Sequence, residues 1–177
     1  MKILLMCEPR TGSNNLASWF SLHKDINVLI EPITNPKSIS MPFKKEAKYL
    51  IVKETFNKNT LLYEYVNEFD KVIILFREDF KNQFESWLNA KKTNNWDKQY
   101  IFNAKSNLKD ELFFKSLKDL FKENFLNEKY FNISYEELYY KNGINKIKEY
   151  LNLDFLNIDN WPVGIKYRIN KTEKKLL

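Results

Sequence analysis

Short apolar runs bounded by polar or charged residues recur along the chain and predict five β-strands. They cover Ile3–Cys7, Val28–Ile30, Tyr49–Lys53, Lys71–Phe76 and Phe131–Ser134. The first run is continuous rather than alternating, which is expected of a central parallel strand that is covered on both faces.

Between these runs, apolar residues recur at helical spacing. The helices predicted from this spacing are Ser13–His23, Leu61–Phe69, Asp79–Lys91, Asn107–Phe125 and Ile144–Leu151. In the fourth of them, the face expected to be buried consists of Phe113, Leu117, Leu120 and Phe121. Residues 34–45 show no clear period and are predicted to form a loop. Because strands alternate with helices, we expect a three-layer α/β sandwich: a parallel sheet of about five strands with helices on both faces.

Ligands of parallel α/β sheets bind beyond the carboxyl ends of the strands. The polar residues at those ends are Arg10–Ser13, Glu31, Lys53, Arg77 and Tyr135–Glu136. The pattern alone therefore makes these residues the candidate site.

The first of these ends, a loop that opens a helix, has the composition of an anion-binding site. Its backbone N–H groups and the helix dipole favour negative charge, and Gly12 allows the backbone to approach an anion closely. Arg10 adds a planar guanidinium that suits phosphate oxygens. An ordinary helix cap by Ser13, with Arg10 in solvent, explains the stretch equally well.

Composition narrows the class of protein. The 177 residues suit one domain, and we predict that residues 1–177 form it. Lys and Arg outnumber Asp and Glu by 29 to 23, which fits an anionic ligand or simply a basic surface.

One Cys and one His exclude an intrachain disulfide and argue against a structural zinc site. No apolar stretch is long enough for a signal peptide or a membrane span, so we expect a cytoplasmic protein.

A second stretch, Val72–Trp96, contains the end of the fourth predicted strand. Arg77 directly follows that strand, and Ser86 lies nine positions later. An arginine at a strand exit and a serine about two turns into the next helix can converge on one phosphate. Together with the first loop, this stretch resembles the donor-binding motifs of sulfotransferases that use 3′-phosphoadenosine 5′-phosphosulfate. PRTGSN at residues 9–14 is similar to the 5′-phosphosulfate loop of that family, and Arg77 with Ser86 is similar to its 3′-phosphate motif.

The resemblance covers about residues 1–140. The run that most resembles the bacterial trehalose-type members contains Arg77, Gln83, Ser86, Trp87, Ala90 and Trp96. Leu22–Pro32 is similar to the family's connection from the first helix to the second strand, and Ser134–Leu138 is similar to a frequent YEDL element. The chain departs from the family at Lys24, where a proline is usual, and at Ile30, where a glycine is usual.

The resemblance implies a P-loop-like fold and metal-independent transfer of a sulfuryl group, with 3′,5′-bisphosphoadenosine as product. The residues that would hold the donor are Arg10, Thr11, Gly12, Ser13, Asn14, Arg77 and Ser86. Arg10 would also stabilise the leaving group. Lys53, which ends a central strand, is expected either to contact the sulfonate or the acceptor or to extend from the edge of the sheet into solvent. The acceptor implied is a hydroxyl or amine of a carbohydrate or small metabolite.

Glu31 is the residue that the resemblance implies as general base. We expect it to end a strand that neighbours the first, and we expect His23 to be structural, as is its counterpart in the family. Candidates for the adenine slot are Trp87, Trp96, Tyr135 and Trp161, although aromatic residues on helices more often belong to the core. The basic tail, with Arg168, Lys171, Lys174 and Lys175, either closes over the phosphates or is solvated.

Three other functions stay open. A phosphate-loop kinase shares the layout, but its GxxxxGK[ST] motif needs a lysine that this loop lacks. A nucleic-acid-binding module would need a contiguous basic face, whereas the lysines here are interleaved with acids. A catalytically inactive nucleotide-binding module of the sulfotransferase type is the third. The sequence is also compatible with a homo-oligomer.

Overall fold

The computed structural model describes residues 1–34, 43–57, 62–94, 96 and 106–157. Most of the predicted loop at 34–45, together with Trp161 and the basic tail, lies outside the described residues. The strands are β1 Lys2–Cys7, β2 Ile26–Ile30, β3 Tyr49–Thr55, β4 Lys71–Phe76 and β5 Phe131–Ser134. The helices are α1 Ser13–Ser21, α2 Leu62–Tyr65 with a 3₁₀ turn at Val66–Glu68, α3 Phe80–Thr93, α4 Leu108–Phe125, α5 Tyr135–Tyr140 and α6 Gly143–Leu151.

The five strands form one sheet in the order β2-β3-β1-β4-β5, and all four pairings are parallel. This confirms the predicted α/β architecture. One expectation is wrong: β2, which precedes Glu31, does not neighbour β1. β3 lies between them, in register with both, so that Lys53 pairs with Leu5 on one side and Ile30 on the other. Local patterns identify strands but not the order in which they pair.

Two apolar clusters cover the sheet, one on each face. The alternate β1 residues Ile3, Leu5 and Cys7 pack with residues of α1, α5 and α6. Leu4 and Met6 point to the opposite face and pack with α4 and the 3₁₀ turn. A third cluster joins α3 to α4. The result is the predicted three-layer sandwich, with every carboxyl end of a strand at one edge.

The buried face of α4 differs from the prediction. The residues that are buried are Phe114, Leu117, Lys118, Phe121 and Phe125. Phe113 and Leu120, which were expected to be buried, are 44% and 36% exposed. The helix packs against α3 as well as the sheet, and its buried stripe includes a lysine that a search for apolar residues cannot recognise.

We expect Phe114→Ala to destabilise the fold by about 3–5 kcal/mol, because the ring is buried and contacts the rings of Phe80, Phe84 and Trp87. Phe113→Ala is the matched control and should cost about 1 kcal/mol or less, because that ring is half exposed and stacks on the Trp87 ring at 5.9 Å. Urea unfolding of the two variants measures both values. Equal losses would contradict the observed orientation of α4.

Candidate anion-binding site

The loop after β1 leads directly into α1 through two residues with left-handed backbone conformations. Arg10 has φ 65°, and Gly12, the N-cap of α1, has φ 71°. Because the cap residue is glycine, no cap side chain occupies the N–H groups of the first turn. The loop therefore brings the positive end of a nine-residue helix to the carboxyl edge of the sheet.

Gly12 is required for two separate reasons. Its positive φ disfavours residues that carry a Cβ. A Cβ at this position would also lie 2.8 Å from the Tyr139 hydroxyl, which itself donates a hydrogen bond of 2.8 Å to the Gly12 carbonyl. Tyr139 of α5 thus sets the path of the loop, a contact that the sequence did not reveal because α5 was not predicted.

The structure brings together Arg10, Arg77 and Ser86. Arg10 Nε donates to Ser86 Oγ at 2.9 Å, and Arg10 Nη1 donates to the backbone carbonyl of Trp96. Arg77 Nη1 donates to the Arg10 carbonyl at 3.4 Å. Two guanidinium groups and a hydroxyl from three segments of chain therefore converge beside the start of α1.

The other loop residues differ in how available they are. The Thr11 hydroxyl is buried and donates to the Glu8 carbonyl at 2.9 Å, so its proton is already committed. Ser13 is buried at the first turn of α1, and Asn14 is exposed.

The Arg77 side chain contacts two residues at the start of α5. Its guanidinium lies over the Tyr135 ring, 4.5 Å from the centroid, and its Nε is 3.7 Å from Glu136 Oε1. The Glu136 carboxylate also accepts backbone N–H groups of Glu78 and Asp79, at 3.0 and 3.3 Å, just before α3. Tyr135 and Glu136 therefore hold the guanidinium in place, as cation–π and ion-pair contacts do.

A second polar group forms on the other side of β1. The Lys53 ammonium, only 2% exposed, pairs with Glu31 and donates to Thr55 Oγ1 at 2.7 Å. Thr55 Oγ1 in turn donates to Glu31 Oε1 at 2.7 Å. Lys53 and Thr55 therefore both donate to Glu31 Oε1, and neither of them contacts Oε2. The alternative interpretation of Lys53, a lysine extending into solvent, is wrong.

Opposing forces act on the pKa of Glu31. Burial acts to raise it, but the Lys53 charge and the hydrogen bonds from Lys53 and Thr55 outweigh burial, so the pKa lies below its ordinary value. Glu31 is therefore ionised throughout the neutral range. It is also a weaker base than an ordinary glutamate.

Buried Cys7 connects the two polar groups. Burial raises the pKa of its thiol to about 11, with smaller opposing effects from the Lys53 charge and a hydrogen bond with Ser13. Cys7 ends β1 in register with Thr55. The two groups thus lie on either side of one strand end, with Ser13 at the loop and Lys53 on β3.

Glu54 stabilises the backbone that follows Glu31. Its buried carboxylate accepts hydrogen bonds from Ile33 N at 2.7 Å, Thr34 N at 3.3 Å and Thr34 Oγ1 at 2.7 Å. Burial raises the pKa of Glu54 above its ordinary value, against the effect of these bonds. This role could not be recognised from the sequence, because Glu54 lies inside a strand.

Backbone strain coincides with the candidate site. In the described part of the chain, five residues other than glycine have a positive φ, and three of them are asparagines, which tolerate that conformation. The other two are Arg10 and Glu31, at 65° and 53°. Such conformations cost about 1–3 kcal/mol each and occur preferentially at functional sites.

Of the other residues that the sequence singled out, Trp96 lies at the candidate site, whereas Trp87 and His23 do not. Trp87 is buried in the α3–α4 cluster and so belongs to the core, whereas Trp96 is 46% exposed beside Arg10. His23 precedes β2, at the opposite edge of the sheet, where its ring packs against Trp19 and Phe155. Burial and the nearby Lys44 charge hold the pKa of His23 below its ordinary value.

Comparisons of the chain with protein-family models, with curated proteins and with solved structures give no significant match. Within the described ranges, no helix is both long and apolar enough to cross a membrane. Nor do these ranges contain a group of three or more His, Cys, Asp or Glu side chains that could hold a metal ion. The assignment of the site therefore depends on sequence and geometry alone.

We expect Lys53→Met to raise the pKa of Glu31 above its ordinary value, because burial would then act with little opposition. In the wild type, the lowered pKa of Glu31 stabilises the fold at pH values above the ordinary pKa of glutamate. This stabilisation is lost as the pH falls through the lowered pKa. In the variant the sign reverses, and protonation of Glu31 should favour folding as the pH falls.

Carboxyl NMR titration, with thermal unfolding as a function of pH, measures both effects. Lys48→Met, an exposed lysine just before β3, is the matched control. An unchanged Glu31 titration in Lys53→Met would show that the ion pair does not control this carboxyl group.

Proposed function

We propose that the protein is a sulfotransferase that transfers a sulfuryl group from 3′-phosphoadenosine 5′-phosphosulfate to a hydroxyl or amine, with a carbohydrate or small metabolite as acceptor. The observation that carries the proposal is the convergence of Arg10, Arg77 and Ser86 beside the N-terminus of α1. The same residues carry the sequence resemblance. The loop at residues 9–14 and the pair Arg77 and Ser86, which are distant in sequence, therefore lie close together, as the binding of one bisphosphate ligand would require.

The donor carries two separated anionic groups. The N–H groups of residues 12–14 and the Arg10 guanidinium suit the 5′-phosphosulfate, since a helix start and an arginine both favour phosphate oxygens. Arg77 and Ser86 suit the 3′-phosphate. Arg10 would exchange its contacts with Ser86 and the Trp96 carbonyl for contacts with the donor. The exposed Trp96 ring is the candidate for contact with adenine.

The transfer step needs an anion site and a proton acceptor on opposite sides of the sulfur. The bond from sulfur to the 5′-phosphate oxygen breaks, and its electron pair stays on that oxygen, where Arg10 and the loop N–H groups stabilise the growing charge. The acceptor oxygen or nitrogen forms the new bond to sulfur, and its proton passes to Glu31. Lys53 and Thr55 engage Glu31 Oε1, so Oε2 is the oxygen that receives the proton.

We expect Arg77→Ala to weaken binding of 3′,5′-bisphosphoadenosine at least tenfold, because a charge-assisted contact of this kind is worth about 1.5–3 kcal/mol. Lys71→Ala is the matched control, since Lys71 begins the same strand at the opposite edge of the sheet. Calorimetry without metal ions measures both affinities. Equal affinities for Arg77→Ala and wild type would refute the assignment of the 3′-phosphate to Arg77.

Glu31→Gln should retain the affinity for 3′,5′-bisphosphoadenosine to within about twofold while lowering sulfuryl transfer about 10²–10⁴-fold, because the amide keeps the shape but cannot accept the proton. Transfer of labelled sulfur from the donor to a panel of sugars and small alcohols measures the rate. The exposed Glu46→Gln serves as control. Near-normal transfer in Glu31→Gln would exclude Glu31 as the base, whereas loss of nucleotide binding would assign it a structural role.

A further inference from the structure

A buried ion pair lies beneath the first loop and takes no part in the proposed chemistry. Glu8 follows β1 and Lys118 belongs to α4, and their side chains are 1% and 7% exposed. Lys118 Nζ lies 2.8 Å from Glu8 Oε2. Burying two charges carries a large desolvation cost, and apolar residues of similar volume are often at least as stabilising. The position of the pair beside the candidate site therefore suggests a role other than stability.

Hydrogen bonds join this pair to one further side chain, Gln83 of α3. The Lys118 ammonium has three protons, and it donates to Glu8 Oε2, to Gln83 Oε1 at 2.8 Å and to the Arg77 carbonyl. Glu8 Oε2 also accepts from Gln83 Nε2 at 3.0 Å. Glu8, Gln83 and Lys118 are called the buried cluster below.

The buried cluster holds the backbone at both arginines of the candidate site. The Arg77 N–H donates to Glu8 Oε2 at 3.0 Å, and the Arg77 carbonyl accepts from Lys118, so both polar groups of this peptide backbone are fixed. Gln83 Nε2 donates to the carbonyl of Pro9, the residue before Arg10, at 2.9 Å. The cluster thus ties the first loop, the exit of β4, α3 and α4 to one another.

We propose that Glu8, Gln83 and Lys118 are positioning residues that set the separation of Arg10 and Arg77, and with it the distance between the 5′- and 3′-phosphate subsites. This inference rests on the proposed function. The two phosphates of the nucleotide are joined by a ribose of fixed length. Two arginines can therefore bind both phosphates at once only if the protein holds them within about 0.5 Å of the matching separation.

The test compares the affinities of 3′,5′-bisphosphoadenosine and 5′-AMP, which differ only in the 3′-phosphate. Gln83→Met removes the amide bridge without changing charge. The double variant Glu8→Gln with Lys118→Met removes the ion pair and leaves no buried charge unpaired. In each folded variant we expect the wild-type preference for the bisphosphate to fall about tenfold, with a smaller change in AMP affinity.

Lys91→Met is the matched control. Lys91 and Asp110 form an ion pair of 2.7 Å between α3 and α4, the same two helices, but outside the buried cluster. Its loss should leave the ratio of the two affinities within about twofold of the wild type, as expected for an exposed pair.

The outcomes distinguish the two proposals. A purely structural cluster would lower the unfolding temperature of the variants and leave the ratio of affinities unchanged, which would overturn the positioning role. If the double variant does not fold, Gln83→Met decides alone. Wild-type protein that binds neither nucleotide, or binds both alike, would overturn the proposed function and this inference with it.

Discussion

Parallel pairing of β1 with β3 on one side and β4 on the other is the constraint on which the candidate site depends. Because all strands run in the same direction, the loop with Arg10, the exit at Arg77 and the Glu31 turn emerge at one edge of the sheet. The arginines lie toward β4, and the Glu31–Lys53–Thr55 group lies toward β3. The proposed sulfuryl transfer would need an anion-binding group and a proton acceptor on opposite sides of the sulfur, which this arrangement of the two groups could provide.

Strain and buried charge concentrate at this edge. Arg10 and Glu31 adopt left-handed conformations at a cost of about 1–3 kcal/mol each, and the surrounding contacts hold them there. The Arg10 loop is fixed by Tyr139 and Gln83, and the turn after Glu31 is fixed by Glu54. A fold selected for stability alone has no need of these features, which favours a functional interpretation of both residues.

The sequence predicted local structure better than tertiary arrangement. The strands were located to within two residues because buried parallel strands produce continuous apolar runs bounded by charges. The order of the strands was not predictable, so the expectation that β2 neighbours β1 was wrong. The predicted buried face of α4 was wrong because Lys118 occupies a core position, and a charged residue is not recognised as a core residue from the sequence. The proximity of Arg10, Arg77 and Ser86 was expected from the strand exits together with the family resemblance, whereas the roles of Glu8 and Gln83 became recognisable only through their contacts.

The proposed function depends above all on the binding of an adenosine bisphosphate at this edge without the help of a metal ion. Calorimetry of the wild-type protein with 3′,5′-bisphosphoadenosine in the presence of EDTA, alongside ATP with Mg²⁺, tests it directly. We predict saturable binding of the bisphosphate that is insensitive to EDTA and tighter than the binding of ATP with Mg²⁺. Binding of ATP that requires Mg²⁺, without binding of the bisphosphate, would exclude the proposed sulfotransferase and favour a kinase.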